Sequence, residues 1–205
     1  MNEKEWANKF IEWLKEVIGD SDKPLDEYWD AKIIESNETI WIKAESPKQP
    51  FNVFIKIERG FASLQVYPGI ETAVMDSQER LKIYRDLLIL SDRWRMVKYV
   101  IEGDNDDIVI KTDLDLSSLG REEFNDALTV TLLAMNDLVK KLGLQKTYEE
   151  AQIMHVLDII KKKNSEGETK EQIVDYLIKT FGVSRDVAIE IVSQTLPKED
   201  LEYFA

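Results

Sequence analysis

Only one histidine, His155, and no cysteine occur among the 205 residues, and this rules out most side-chain chemistry before any fold is considered. Without a thiol there is no cysteine nucleophile, no thiolate zinc cluster and no disulfide. A Ser/His/acid relay would have to use His155 as its base, and other acid/base work near neutrality would fall to carboxylates or lysines with displaced pKa values. His155 lies off the apolar stripe Ile153, Val156, Leu157 and Ile160 and three residues before Asp158, where a helix places a surface histidine beside an acid. The run Gly103-Asp104-Asn105-Asp106-Asp107 gathers oxygen ligands of the kind calcium takes. It lacks the distal Glu of a full calcium loop and falls where a hairpin needs turn residues, so it reads as a turn. There is no phosphate loop, dinucleotide glycine pattern or nucleophile elbow. The expectation is a non-enzymatic chain with no catalytic residue, no metal site and no cofactor.

The formal net charge is −13. The excess is not confined to one part, since residues 151–205 alone hold 7 basic and 10 acidic side chains. Such a field repels DNA and RNA unless a local patch overrides it. The one basic run, Lys161-Lys162-Lys163, ends a helical pattern and there complements the helix dipole. A composition of 43% hydrophobic and 33% charged residues suits a soluble globular chain. No apolar run approaches the roughly 18 residues of a membrane span, and the opening segment is charged and amphipathic, unlike a cleavable leader. We therefore expect a cytoplasmic protein without a membrane partner; the lack of cysteine fits a reducing compartment, and the Glu/Lys richness suits a thermophilic or archaeal source.

Periodicity supplies the elements that must position any site. Apolar residues at Trp6, Phe10, Ile11, Trp13, Leu14, Val17 and Ile18 form one arc of a helix over Asn2–Ile18, which Gly19 ends. Alternating stretches at Ala31–Glu35, Thr39–Ala44, Phe51–Glu58 and Phe61–Tyr67 predict four antiparallel strands, with turns at Ser36-Asn37, Ser46–Pro50 and Arg59-Gly60. A helix over Ser77–Asp92 follows, then strands near Met96–Glu102 and Ile108–Leu114, then a long helix over Arg121–Leu142 capped by Ser117 or Ser118. The order α-β-β-β-β-α-β-β-α predicts an α+β domain built on one antiparallel sheet. Beyond Leu144 only helices are expected, at Tyr148–Lys163, Lys170–Thr180 and Arg185–Thr195, with a Thr169/Gln172 capping box, a Gly182 stop and a Ser184 cap. This divides the chain into 1–144, α+β, and 145–205, a small all-α module, with the boundary near Gly143–Thr147.

Two helices carry more apolar surface than one sheet face requires. In Ser77–Asp92, Leu81, Ile83, Tyr84, Leu87, Leu88, Ile89 and Leu90 surround the axis, which calls for cover on more than one side, by the C-terminal helices or by a second copy of the chain. A homodimer would use Ile83, Leu87 and Leu90. In the first helix, Trp6 and Trp13 fall on one edge of the apolar arc beside Phe10, where rigid rings serve as contact residues for a partner protein or close the edge of the core. Trp29, Trp41 and Trp94 read as packing residues.

This arrangement of an N-terminal amphipathic helix, twisted antiparallel sheet, central apolar helix and closing helix, introduced by Asp113–Phe124 and running through Asn125–Leu142, resembles the type III secretion chaperone-like fold over about residues 1–144. The resemblance implies an acidic, cytoplasmic, often dimeric protein that binds other proteins. It would put the Ser77–Asp92 helix at a dimer interface, and the sheet with the first helix at the partner surface. The chain departs from it by carrying the extra C-terminal module.

The tail is similar to two things. Gln172–Phe181, the turn Gly182-Val183-Ser184 and Arg185–Gln194, supported by Ile153–Lys163 and with Lys198–Ala205 as a vestigial wing, resemble a helix-turn-helix, in which Ser184 and Arg185 would begin the recognition helix. Asp186 and Glu190 would then face phosphates or bases. The same stretch is similar to the first two helices of ubiquitin-associated-type modules, which bind proteins. Together these features lead to the expectation of a protein-binding adaptor or chaperone-like protein contacting its partner through Trp6, Phe10 and Trp13. A transcription-associated regulator with a DNA-contacting tail is the alternative.

Overall fold

The structure, a computed structural model, describes residues 2–16, 24, 27–36 and 39–196. The expected helix end at Val17–Gly19, the turn residue Asn37 and the wing Lys198–Ala205 lie outside the described residues. The element order is α1 (Glu3–Lys15), β1 (Asp30–Ser36), β2 (Thr39–Glu45), β3 (Asn52–Glu58), β4 (Phe61–Val66), α2 (Ser77–Arg93), β5 (Val97–Glu102), β6 (Asp107–Asp115), α3 (Arg121–Leu142), α4 (Gln145–Ser165), α5 (Lys170–Phe181) and α6 (Arg185–Thr195). The fold is α+β, as its periodicity predicts. The chain divides into two compact units, one made of Met1–Ser46 with Phe51–Lys146 and the other of Pro47–Pro50 with Thr147–Ala205.

In the first unit all six strands form one antiparallel sheet of order β1-β2-β3-β4-β6-β5. Because side chains alternate along a strand, the register sorts them onto two faces. One row crosses the sheet as Ile33, Ile42, Ile55, Leu64, Thr112 and Val97. Beside it run Ala31, Ala44, Val53, Val66, Ile110 and Tyr99. All but Ile33 and Tyr99 in these rows are buried. This inner face is the core, with α1 packed on β1 to β3, α3 on β4 to β6, and α2 on α3 and β5. Two polar inner residues are satisfied by α3: Thr112 Oγ1 meets Thr131 Oγ1 at 2.8 Å, and Tyr99 donates to the Ala134 carbonyl at 3.0 Å. Burial, then the charge of Asp137, push the Tyr99 phenol well above its usual range, while Arg93 pulls the other way.

The helix ends follow from their residues. Asn2 caps α1 by accepting from Glu5 N at 2.9 Å while Glu5 returns the bond to Asn2 N at 2.8 Å, a reciprocal box that satisfies two otherwise orphaned donors. α1 runs to Lys15, with Glu16 in an extended conformation as its C-cap. For α3 the cap is Gly120, which makes no side-chain bond, and not Ser117 or Ser118. Ser117 is already used: its N–H donates to Asp115 Oδ1 at 2.8 Å in the turn that leaves β6.

The first helix is the main correction. Trp6 and Trp13 are only 7% and 8% exposed, and Phe10 is fully buried. The three rings join Phe124 of α3 in one cluster, Phe10 to Phe124 at 4.8 Å between centroids and Trp13 to Phe124 at 5.7 Å. Lys9 closes the edge of that cluster, its Nζ 4.7 Å from the Trp6 ring and 4.9 Å from the Trp13 ring. These residues join α1 to α3, and their burial leaves little of the rings to meet a partner.

In the second unit Ile160, Ile173, Val174, Leu177, Ala188, Val192 and Leu196 form a small core among α4, α5 and α6. Its caps are those expected: Thr169 with Gln172 opens α5, Gly182 in the left-handed conformation closes it, and Ser184 opens α6.

Two outcomes follow. Phe10→Ala should lower unfolding free energy by about 3–5 kcal/mol, the usual cost of emptying a buried aromatic site, measured by urea denaturation; an unchanged midpoint would return Phe10 to the surface. Tyr99→Phe should cost about 1 kcal/mol at pH 7 through the lost bond. Because the folded-state pKa is raised, the contribution of Tyr99 is intact below its unfolded value of about 10 and is lost as pH rises beyond it. Thermal melts of Tyr99→Phe should therefore fall less steeply than wild type as pH rises above about 10.

Candidate functional site

The second sheet face is built from the alternate residues and has a different chemistry. One row reads Lys32, Lys43, Phe54, Gln65, Lys111 and Lys98, and the next Ile34, Trp41, Lys56, Ser63 and Asp113. Five lysines and two large aromatics thus share one surface, with Tyr67 just beyond the end of β4. Lysines directly opposite one another, as Lys32 and Lys43 are, repel. The face answers this with acids two residues along the same strand or across the pair. Lys43 pairs with Glu45, Lys56 with Glu58 at 2.8 Å, Lys98 with Asp113, and Lys111 with Glu102.

Around Asp113, burial would raise the carboxyl pKa, but hydrogen bonds from Lys98 and Ser63, with the charges of Lys98 and Lys111, outweigh it and hold the group below the usual carboxylate range. At the other end, burial followed by the charges of Glu102 and Asp107 raises the Tyr67 phenol. The aromatics are tied in place: Phe54 and Tyr67 meet edge to face at 5.8 Å, Tyr67 donates to Gln65 Oε1 at 2.9 Å, and Lys56 Nζ stands 5.8 Å from the centre of the Trp41 ring. Trp41 and Phe54 are half-buried among these neighbours, and Ile34 and Tyr67 are exposed. The result is a surface on which four of the five lysines pair with carboxylates and the aromatic rings are held by their neighbours. The resemblance placed the sheet at the partner surface, but sequence reasoning did not single out these rings, reading Trp41 as a packing residue. The signal was present, because Trp41 and Phe54 are out of phase with the buried Ile42, Ala44, Val53 and Ile55.

The other sequence-derived candidates fall elsewhere. On α2, Leu87 and Leu90 are buried in the packing on α3 and β5, and Ile83 is half-buried. Leu87 and Leu90 are thus spent on the unit's own packing and are not free to form the dimer interface expected of them; the outward residues are Leu81, Leu88 and Ile89. On α6, Ser184 is occupied as the helix cap, accepting from Val187 N, and the Arg185 guanidinium is held by Glu171 and by Asp175 at 3.2 Å. An arginine neutralised by two carboxylates is a poor phosphate contact.

A cleft of about 1050 Å³ lies where the start of α1 meets the β3–β4 turn. Its carboxylates are committed locally, Glu3 accepting from Arg59 N at 2.9 Å and Asp115 from Ser117 N, a bond that lowers the Asp115 pKa. In the 103–107 turn the carbonyls of Asn105 and Asp106 accept from Ala73 N and Thr72 N. Among the described residues no group of three or more His, Cys, Asp or Glu is placed to hold a metal ion. Likewise no helix there is long and apolar enough to cross a membrane.

No curated protein matches the sequence. A crystal structure of YbjN from E. coli, a candidate transcription regulator, is similar to the chain at 12% identity, over 57% of this chain and 84% of that one. Its TM-score is 0.41, too low to carry a fold or a function across. A family model, described as a domain of unknown function (DUF8183), matches residues 9–142. That span is well over half of the chain and runs from α1 to the end of α3, so it takes in every strand of the sheet and both of its faces. The chain belongs to the DUF8183 family.

Proposed function

We propose that this chain is a non-enzymatic protein-binding module of the adaptor or chaperone-like kind, and that it contacts its partner through the open face of the sheet. The observation that carries the reading is the combination on that face of fixed aromatic anchors, Trp41, Phe54 and Tyr67, with lysines paired to carboxylates. Aromatic residues in a half-covered setting dominate protein–protein contact energies, and a ring of balanced charges selects orientation more than strength. A nucleic acid would require free positive charge, and here the lysine charge is largely spent internally. The regulator alternative depends on Ser184 and Arg185, and both are engaged within the helical module.

The test is a photo-reactive phenylalanine placed at Phe54 in cells of the source organism, with Glu123 on the exposed side of α3 as the control position. Protein adducts that resist nuclease should form from position 54 and not from 123. Trp41→Ser should weaken them by roughly thirtyfold, the loss of a contact worth about 2 kcal/mol. Equal adducts at both positions would sink the assignment of the face, and adducts destroyed by nuclease would move the reading to nucleic acid.

Self-association is the second part of the proposal. It moves from Leu87 and Leu90 to the outward stripe of α2, where Leu81 and Leu88 stand two turns apart and Leu88 is 74% exposed. Leu88→Glu should convert a dimer to a monomer in sedimentation while leaving the melting temperature of the monomer unit unchanged. A wild-type chain that sediments as a monomer would end this part of the proposal.

A further inference from the structure

His155, the one histidine of the chain, takes no part in the open sheet face and has a setting of its own. Within the second unit, to which Pro47–Pro50 belong, a cleft of about 610 Å³ lies between that short segment, α4 and the end of α5. Every titratable side chain on its lining is basic: Lys48, His155 and Lys179. Beside them Pro47, Pro50 and Phe181, all half-buried, supply apolar wall. On a chain of net charge −13 such a grouping of one sign is unusual. The cleft at the start of α1, by comparison, sets Glu3 and Asp115 against Lys4 and Arg59.

We propose that this cleft binds a small organic anion of the phosphate-monoester class, a compact multiply charged head on an aromatic or apolar body, in a site that uses none of the residues of the open sheet face. Lys179 supplies the uncommitted charge. Its natural carboxylate on α5 is Asp175, one turn back, but Asp175 is held by Arg185 at 3.2 Å. Among the described residues Lys179 has no ion-pair partner, whereas Lys48 and His155 each hold an interaction of their own. The end of α5 at Gly182 brings only about half a negative charge, which the Lys179 ammonium alone exceeds. A phosphate head offers three terminal oxygens, one for each basic side chain, and charge-assisted bonds to them are the strong kind. A neutral imidazole still has one N–H to donate, so His155 can serve in either protonation state. The volume falls in the range of about 300–1,000 Å³ usual for small-ligand sites, and Phe181 with the two prolines gives the body a rigid surface to pack on.

Because His155 is the only histidine, its ring signals in NMR spectra report on this cleft directly. Phenyl phosphate added to the full chain should shift them saturably. It should bind roughly tenfold more tightly than benzoate, which lacks the third oxygen, and than inorganic phosphate, which lacks the body. That comparison uses the wild-type chain and depends on no variant. Lys179→Met should then weaken phenyl phosphate roughly tenfold, whereas Lys161→Met, which removes the same charge from another exposed position on α4, should leave binding unchanged. Unshifted His155 signals would overturn the proposal, as would equal binding of the three anions. Equal loss from the two lysine substitutions would reduce the cleft to a diffuse positive field and overturn it as well.

Discussion

The contact between Phe10 and Phe124 is the hinge of the α+β unit. A sheet whose alternate residues are Ile, Val, Leu and Ala on one face must have that face covered along its whole width, from β1 at one edge to β5 at the other. No single helix here is placed to do so: α1 covers β1 to β3, and α3 covers β4 to β6. The cover is therefore continuous only if the two helices meet, and they meet through the aromatic cluster around these two rings. The contact joins residues more than a hundred positions apart, so the core closes only when nearly the whole unit is assembled. Long-range closure of this kind puts the loop-closure cost of folding ahead of the contacts that offset it.

The same constraint determines what the other face can be. With the helices of the unit gathered on the inner face, much of the other face meets water, and alternation supplies lysines and acids there, although Gln65 and Val109 on that side are buried. Those charges cost little because they pair along and across strands, as Lys56 does with Glu58 and Lys98 with Asp113. Such exposed pairs add little to stability. In the proposed protein-binding role their effect would be on recognition: lysines paired with carboxylates leave an incoming surface to meet aromatic rings beside paired and not free positive charge. A protein surface, itself mixed in charge, fits that condition better than a polyanion does.

Element order was legible because strand and helix periods differ, and the chain keeps to each for long enough to be read. The rings of α1 were not. On a helix with a broad apolar arc, an edge position is core or rim according to what stands beside it, and the neighbour that decided the matter, Phe124, lies in a distant helix. Lys9 added to the ambiguity, since a charged residue between Trp6 and Trp13 suggests water when its stem in fact lies along the rings. The α2 leucines failed for a related reason: an almost fully apolar circumference gives no phase, so the sequence could not distinguish Leu87 and Leu90, which face α3 and β5, from Leu81 and Leu88, which do not. The Gly120 start of α3 was hidden by two serines with better capping chemistry, one of which the preceding turn had already engaged. Period two did carry the open face, and only the size of Trp41 argued against reading it outward.

The helical unit shows the opposite balance. Its caps are local and were readable, yet among the described residues its core amounts to seven buried residues, of which α4 contributes Ile160. A unit this small buries a low fraction of its surface and is marginal by itself. The remaining apolar residues of α4, from Ile153 to Leu157, are too many for a solvated helix face and too poorly covered to count as core. A helix with such a face gains stability from any apolar cover, and the gain scales with the area removed from water at about 25 cal/mol per Å².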